Sequence, residues 1–369
     1  MLATPMAKDL GIAAPTVFAA FSLALLGSAA LGPYAGRAID RWGGRPVLIG
    51  TNLVFAIGLA TLGLANGPGA MFAGWVVIGI GMGSGLYEAA FAALVRLYGR
   101  DARNAITGVT LFAGFASTVG WPLTTLLLGE VGWRGACFAW AALHLVLGMP
   151  LNASLPKAAA LPVFVPVQAA DPKRDTEPPP RLRVAVVLSF VFAATWFAST
   201  AMAAHLPRLL QAGGATLATA VAIGALVGPA QVAGRLLEFG VLRRIHPLFS
   251  ARLAALMPPL GAILLMAFGA PAAALFAILH GAGNGIITIA KGTLPLALFG
   301  PQGYGQRQGI LMVPARIAQA LAPWLFGVLL DRWGVWAMAF TAALGLAAFA
   351  ALMFLPKSRD EPERTSPTA

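Results

Sequence analysis

Apolar runs of eighteen residues or more recur along all 369 residues of this chain, each ending at a short cluster of arginine, lysine, glycine or proline. As a helix, such a run covers the roughly 30 Å of bilayer hydrocarbon. Inside hydrocarbon a backbone must satisfy its own polar groups, which leaves helices or a closed barrel. Runs this long fit helices, since barrel strands need only about ten residues. Composition agrees. Hydrophobic residues make up 59% and charged residues 10%, where a soluble chain carries about 25% charge. An all-α, polytopic membrane protein is expected, with the lipid bilayer as its constant partner.

The candidate spans are Pro15–Tyr34, Pro46–Ala65, Gly69–Val95, Ala105–Leu128, Gly135–Leu155, Val184–Leu206, Leu217–Leu237, Ala251–Phe268, Pro271–Leu298, Gly309–Leu330 and Trp336–Leu355, eleven in all. A proline- and charge-rich stretch divides them, so residues 1–155 form a first bundle and 184–356 a second. The stretch 156–183 reads as a flexible linker, and the polar residues 357–369 read as a disordered tail. The net charge of +12 sits in clusters between spans. Membrane topology explains that pattern better than nucleic acid, which is not expected as a partner. Arginines and lysines crowd into alternate loops, including the linker and the tail, while the intervening loops hold only Lys8, Arg134, Arg208 and Arg332. The positive-inside rule makes the crowded set cytoplasmic, C-terminus included. Arginine far outnumbers lysine, which hints at a GC-rich bacterium, and so at a plasma (inner) membrane. The lone Cys137 excludes an internal disulfide. The first apolar run is not a good signal peptide, because Asp9 precedes it and no cleavage site comes after it.

Between the first two spans stands Gly36–Arg45, "GRAIDRWGGR". Its charges cannot sit in hydrocarbon and its glycines mark a tight turn. Gly36, Asp40, Arg41, Gly43 and Arg45 fit the pattern G-x-x-x-D-R-x-G-x-R. This resembles the signature loop of the major facilitator superfamily of secondary transporters. The resemblance implies two pseudo-symmetric helical bundles and a substrate cavity between them. It also implies that Asp40 meets the N-terminus of the penultimate helix, here expected near Gly309, and holds the cytoplasmic side shut. A carboxylate there is stabilised by the helix dipole. The plainer reading of Asp40 is a loop charge that only sets topology.

Internal repetition fits two tandem halves. Gly81, Gly83 and Gly85 recur as Gly281, Gly283 and Gly285, and "GRAID" from Gly36 recurs as "GRLLE" from Gly234. The second half spends a full span before its copy of the signature helix, whereas the first half does not. The expectation is therefore 5+6 helices, with the first of the family's twelve absent from this chain. The glycine ladder has the wrong spacing for a dinucleotide loop, and close helix packing accounts for it.

Three ionisable residues, Glu88, Lys291 and Arg316, fall inside spans, each about 12 Å from the cytoplasmic end. Each would cost roughly 3 kcal/mol if left unpaired. His280, Asn284, Thr288 and Lys291 share one helical face, and Ser84 and Glu88 occupy equivalent positions in the other half. Arg316, Gln319 and Pro323 share another face. Resemblance puts the helix of Ser84 and Glu88 and that of His280 to Lys291 on the cavity, along with Trp196 and His205. Glu88 can then pair with Lys291 or Arg316 as an interdomain latch. Alternatively the cations bind an anionic substrate while Glu88 takes up a coupling proton, because burial disfavours its charged form. The plainer reading is an ion pair that only fixes packing. Gln231, Arg235 and Glu238 share a face as well, but for Arg235 and Glu238, near the cytoplasmic end, a solvated helix end is expected, and His144 reads as a core residue.

No metal spacing, hydrolase triad or phosphate loop is present, so neither an enzyme nor a cofactor is expected beyond a proton as coupling ion. The arginine and the G-P-x-x-G-G element of proton-coupled drug exporters are missing. Gly74 and Trp75 stand at the first position and "GWPLTT" from Gly120 at the second. Transport of a small organic anion such as a carboxylate, by a monomer, is the leading expectation. Efflux of a drug-like cation, and an inactive or regulatory membrane protein, are the alternatives.

Overall fold

The structure, a computed structural model, describes residues 2–158 and 181–355. Most of the expected linker, and the whole of the expected tail over residues 357–369, lie outside these residues. All regular structure among the described residues is helical. A short α1 (Ala3–Asp9) leads into α2 (Ala14–Trp42), which carries most of the signature segment as its last turns. The expected loop shrinks to a single residue. Gly43 turns the chain at φ +84°, and α3 (Gly44–Gly63) starts at once. Only glycine takes that backbone conformation without strain.

The next helices are broken where unbroken spans were expected. α4 (Pro68–Gly85) stops after the glycine ladder, Leu86 is extended, and α5 (Tyr87–Tyr98) restarts. α6 (Ala102–Ala113) and α7 (Ala116–Leu143) are separated at Gly114–Phe115. A π-helical turn over His144–Gly148 leads to α8 (Met149–Ala153). In the second segment α9 (Arg181–Ala212) is continuous, while α10 (Leu217–Gly224) and α11 (Val227–Gly240) are again split. Then come α12 (Pro247–Phe268), α13 (Ala273–Phe299), α14 (Tyr304–Trp333) and α15 (Met338–Met353). Such breaks leave backbone groups unpaired, and in membranes they are tolerated where protein or water satisfies them.

The described residues contain nine stretches long and apolar enough to cross a membrane, against the eleven spans expected. Three stretches, of 46, 35 and 50 residues, run on through tight turns, and the first two divide the expected span Ala105–Leu128 between them, so the eleven expected spans fall on nine stretches. A straight helix of 46 residues would be about 70 Å long, more than twice the hydrocarbon thickness. These stretches contain Gly99, Gly132 and Gly334, all at positive φ.

Large apolar side chains such as Phe18, Ile57, Phe112, Leu260 and Phe268 face outward, whereas His280, Lys291, Arg316 and Glu238 are buried. That is the reverse of a water-soluble protein and suits a hydrocarbon surround. Within the first segment α2 packs on α4, and α3 on α4 and α7. In the second, α12 packs on α13 and α15, α13 on α11, and α14 on α9. The segments meet where α2 and α5 pack on α14 and where α6 packs on α11 and α13.

Candidate functional site

At the meeting of α5, α13 and α14 one carboxylate bridges two cations. Glu88 Oε1 lies 3.1 Å from Lys291 Nζ, and Oε2 lies 2.8 Å from the Arg316 guanidinium. Side-chain exposures are 13% for Glu88, 2% for Lys291 and 9% for Arg316. The break at Leu86 puts Glu88 in the first turn of α5, where the helix dipole favours a negative charge. Lys291 reaches it from the middle of α13. Its ammonium lies 5.0 Å from the Tyr87 ring centre and 4.4 Å from that of Trp196, so the rings replace part of its lost water. Arg316 Nη1 donates to Gln319 Oε1 at 3.0 Å, one turn along α14. The Gln308 amide donates to the Lys291 carbonyl at 3.0 Å, and Tyr304 Oη donates to the Gly292 carbonyl at 2.7 Å. These two bonds tie α13 to the start of α14.

Two positive charges against one negative leave an uncompensated cation in a buried site. Such a cluster adds little to stability, because desolvation offsets most of the attraction. It is well suited to take and release an anion.

The other expected residues divide. Gln319 joins the cluster through Arg316. Thr288 is buried on the same face of α13, its hydroxyl donating to the Asn284 carbonyl at 2.7 Å. Asn284 and His280 line a separate small cavity inside the second segment, with Thr195, Ser199 and Pro258. Ser84 accepts a bond from the Thr51 hydroxyl at 2.8 Å and so ties α4 to α3, away from the cations. His205 Nε2 lies 2.7 Å from the Pro323 carbonyl, outside the cluster. His144 is stacked on Phe55, with Nδ1 2.9 Å from Asn52 Oδ1.

Asp40 accepts from the backbone N–H of Gly305 at 2.9 Å and of Gln306 at 2.8 Å. The helix it caps begins at Tyr304, five residues before the expected Gly309, because Gly303 in the left-handed region lets the chain turn there. α2 and α14 cross closely enough that a Cβ on Gly309 would come within 2.6 Å of the Gly32 carbonyl. Gly36 packs on the Gly305 backbone in the same way. Arg41 is exposed and lies over Trp42, and Arg45 begins α3, so neither reaches the buried cluster.

The expected solvated end at Arg235 and Glu238 is corrected. Arg235 is 7% exposed and Glu238 0%. They are covered because α6 of the other segment packs onto α11. Glu238 meets Arg103 at 3.5 Å, and Arg103 also donates to the Leu242 carbonyl at 3.3 Å. Sequence reasoning missed this contact, although "GRLLE" sets Glu238 at the position that Asp40 holds in "GRAID". It also missed Tyr87, which no spacing singles out.

The fold has solved relatives. The human organic anion transporter MFSD10 (TETRAN) is similar at a TM-score of 0.73 and 18% identity, over 95% of this chain and 88% of that one. The proton:xylose symporter XylE, bound to 6-bromo-6-deoxy-D-glucose, is similar at 0.72 and 15% identity, over 96% and 91%. The transporter FucP in its outward conformation is similar at 0.76 and 16% identity, over 97% and 94%. At these identities the likeness speaks for the fold. The sequence profile of the Major Facilitator Superfamily matches residues 1–276, three quarters of the chain, so this multi-pass membrane protein belongs to that family of small-solute transporters.

Proposed function

We propose that the protein carries a small organic anion, such as a carboxylate, together with a proton by alternating access, and that Lys291 and Arg316 bind the anion. The observation that carries this reading is the Glu88 carboxylate held by both cations, one oxygen to each. A substrate carboxylate is the same chemical group. It can take Glu88's place on Lys291 and Arg316 only if Glu88 leaves, and a displaced, desolvated Glu88 takes up a proton. The charges then balance. Glu88, Lys291 and Arg316 sum to +1 in the empty site. With Glu88 neutral and a monoanion bound, the three groups and the anion again sum to +1. Loaded and empty carriers then cross with the same charge.

The asymmetric ties of the molecule support alternation. At the arginine-rich end, taken as cytoplasmic, Asp40 and Arg103 tie the two segments to each other. At the far end Arg134 binds Asp9 at 2.9 Å and Arg208 pairs with Asp331, each within its own segment. The relatives' cargoes, an organic anion, xylose and fucose, leave the cargo open, so the charges of this site decide the reading.

The test is uptake of labelled lactate into proteoliposomes. An inward proton gradient should speed it, while an imposed membrane potential should not. Uptake driven by potential and indifferent to the proton gradient would contradict the scheme.

A further inference from the structure

Building on the organic-anion reading, we infer that Arg235 is a second anion anchor near the Glu88 cluster, and that the preferred substrate carries two carboxylates. Arg235 projects from α11, on the opposite side of the segment interface from α5. It is 7% exposed, and its Nε is buried without a hydrogen-bond partner among the described residues. The nearby acid on its own helix, Glu238, is engaged by Arg103 of α6. The Arg235 guanidinium lies against Gly114, at the break between α6 and α7, where a Cβ would come within 2.4 Å of Nη1 unless the guanidinium moved aside. The break thus makes room for a cation and supplies no acid to pair it. Beside Arg235, α11 packs backbone to backbone on α13, Gly234 against Ala282 and Gln231 against Gly285, and α6 packs on both helices, so Arg235 stands on the helix that flanks the one carrying Lys291.

Glu88 thus answers both Lys291 and Arg316, and the acid beside Arg235 on its own helix is held by Arg103. A monocarboxylate on Lys291 and Arg316 leaves Arg235 as it was, buried and unpaired. A dicarboxylate satisfies both ends, one on the Lys291–Arg316 pair and one on Arg235. Arginine suits the second role because its fork binds a carboxylate through two parallel bonds. The inference also changes the charge balance. A dianion entering with one proton moves one net negative charge, so its uptake should slow when the vesicle interior is made negative, unlike that of a monoanion.

The experiment compares labelled succinate with labelled lactate in proteoliposomes holding the wild type, Arg235→Gln or Arg235→Lys. The wild type is expected to take succinate with a KM at least tenfold below that for lactate. Arg235→Gln should raise the succinate KM tenfold or more and leave that for lactate within twofold, with Arg235→Lys in between. Equal KM values in the wild type, or an equal loss of both substrates in Arg235→Gln, would overturn the second anchor and leave the organic-anion reading standing. Transport of neither probe by the wild type would overturn that reading and this inference with it.

Discussion

Two seams join the segments of this molecule, and they are built differently. Along the first, α2 lies against α14 from Gly36 over Gly305, through Gly32 over Gly309, to Ser22, whose hydroxyl donates to the Ala320 carbonyl at 3.2 Å. Asp40 ends this seam with two short backbone bonds. Along the second, α6 meets α11 near the arginine-rich end, where Arg103 touches Glu238 and Arg235 packs on Gly114. Beyond that point Val119, Trp121 and Leu126 of α7 are exposed, as are Leu217 and Val221 of α10. The first seam is a zipper of glycines with a well-satisfied acid at its end. The second is a short contact with a half-satisfied acid, since Glu238 Oε2 is buried without a partner among the described residues. The comparison assigns the lasting attachment to the first seam and the easier parting to the second.

Breaking the zipper should have the largest effect. Gly309→Leu places a side chain where even a Cβ would overlap the Gly32 carbonyl, and overpacking of this kind costs about 1–3 kcal/mol or more. A cysteine introduced at Thr288, buried at 5% exposure, reports it, because the native Cys137 is itself buried. Its labelling by an impermeant thiol reagent from the arginine-rich side should rise at least tenfold. Unchanged labelling would show that the crossing does not hold that end shut.

Asp40→Asn comes next. Hydrogen bonds to a charged group are worth about 1.5–3 kcal/mol, so losing the charge should raise the same labelling severalfold to tenfold. Glu238→Gln should do least. Its single contact, with Arg103, is long at 3.5 Å, and Arg103, at 24% exposure, can turn to water once the charge is gone, which keeps the loss small. A change below about threefold is expected. Equal responses from Asp40 and Glu238 would erase the distinction between the seams.

These contrasts also show what the sequence discloses and what it hides. Apolar runs reveal the all-helical membrane fold because hydrocarbon permits so few backbone arrangements. Glu88, Lys291 and Arg316 stand out because ionisable groups are rare at that depth, and the structure brings both cations within hydrogen-bonding distance of Glu88. Arg235 and Glu238 do not stand out. Each lies near a helix end in sequence, and only the packing of α6 onto α11 removes them from solvent. The breaks at Leu86 and Gly114 are equally silent, since neither apolar periodicity nor a proline marks them. His280 and Asn284 share a helical face with Lys291 in sequence, yet α9 and α12 enclose them in a separate cavity. A shared face gives direction without saying which neighbour stands opposite.

The most direct test is lactate uptake by Glu88→Gln in proteoliposomes, with and without an inward proton gradient, beside exchange of labelled for unlabelled lactate at equal pH. The account predicts that exchange persists, because Lys291 and Arg316 still hold the anion, while the gradient no longer speeds uptake. Gradient-driven uptake at the wild-type rate would show that the proton travels elsewhere and would contradict the role given to Glu88.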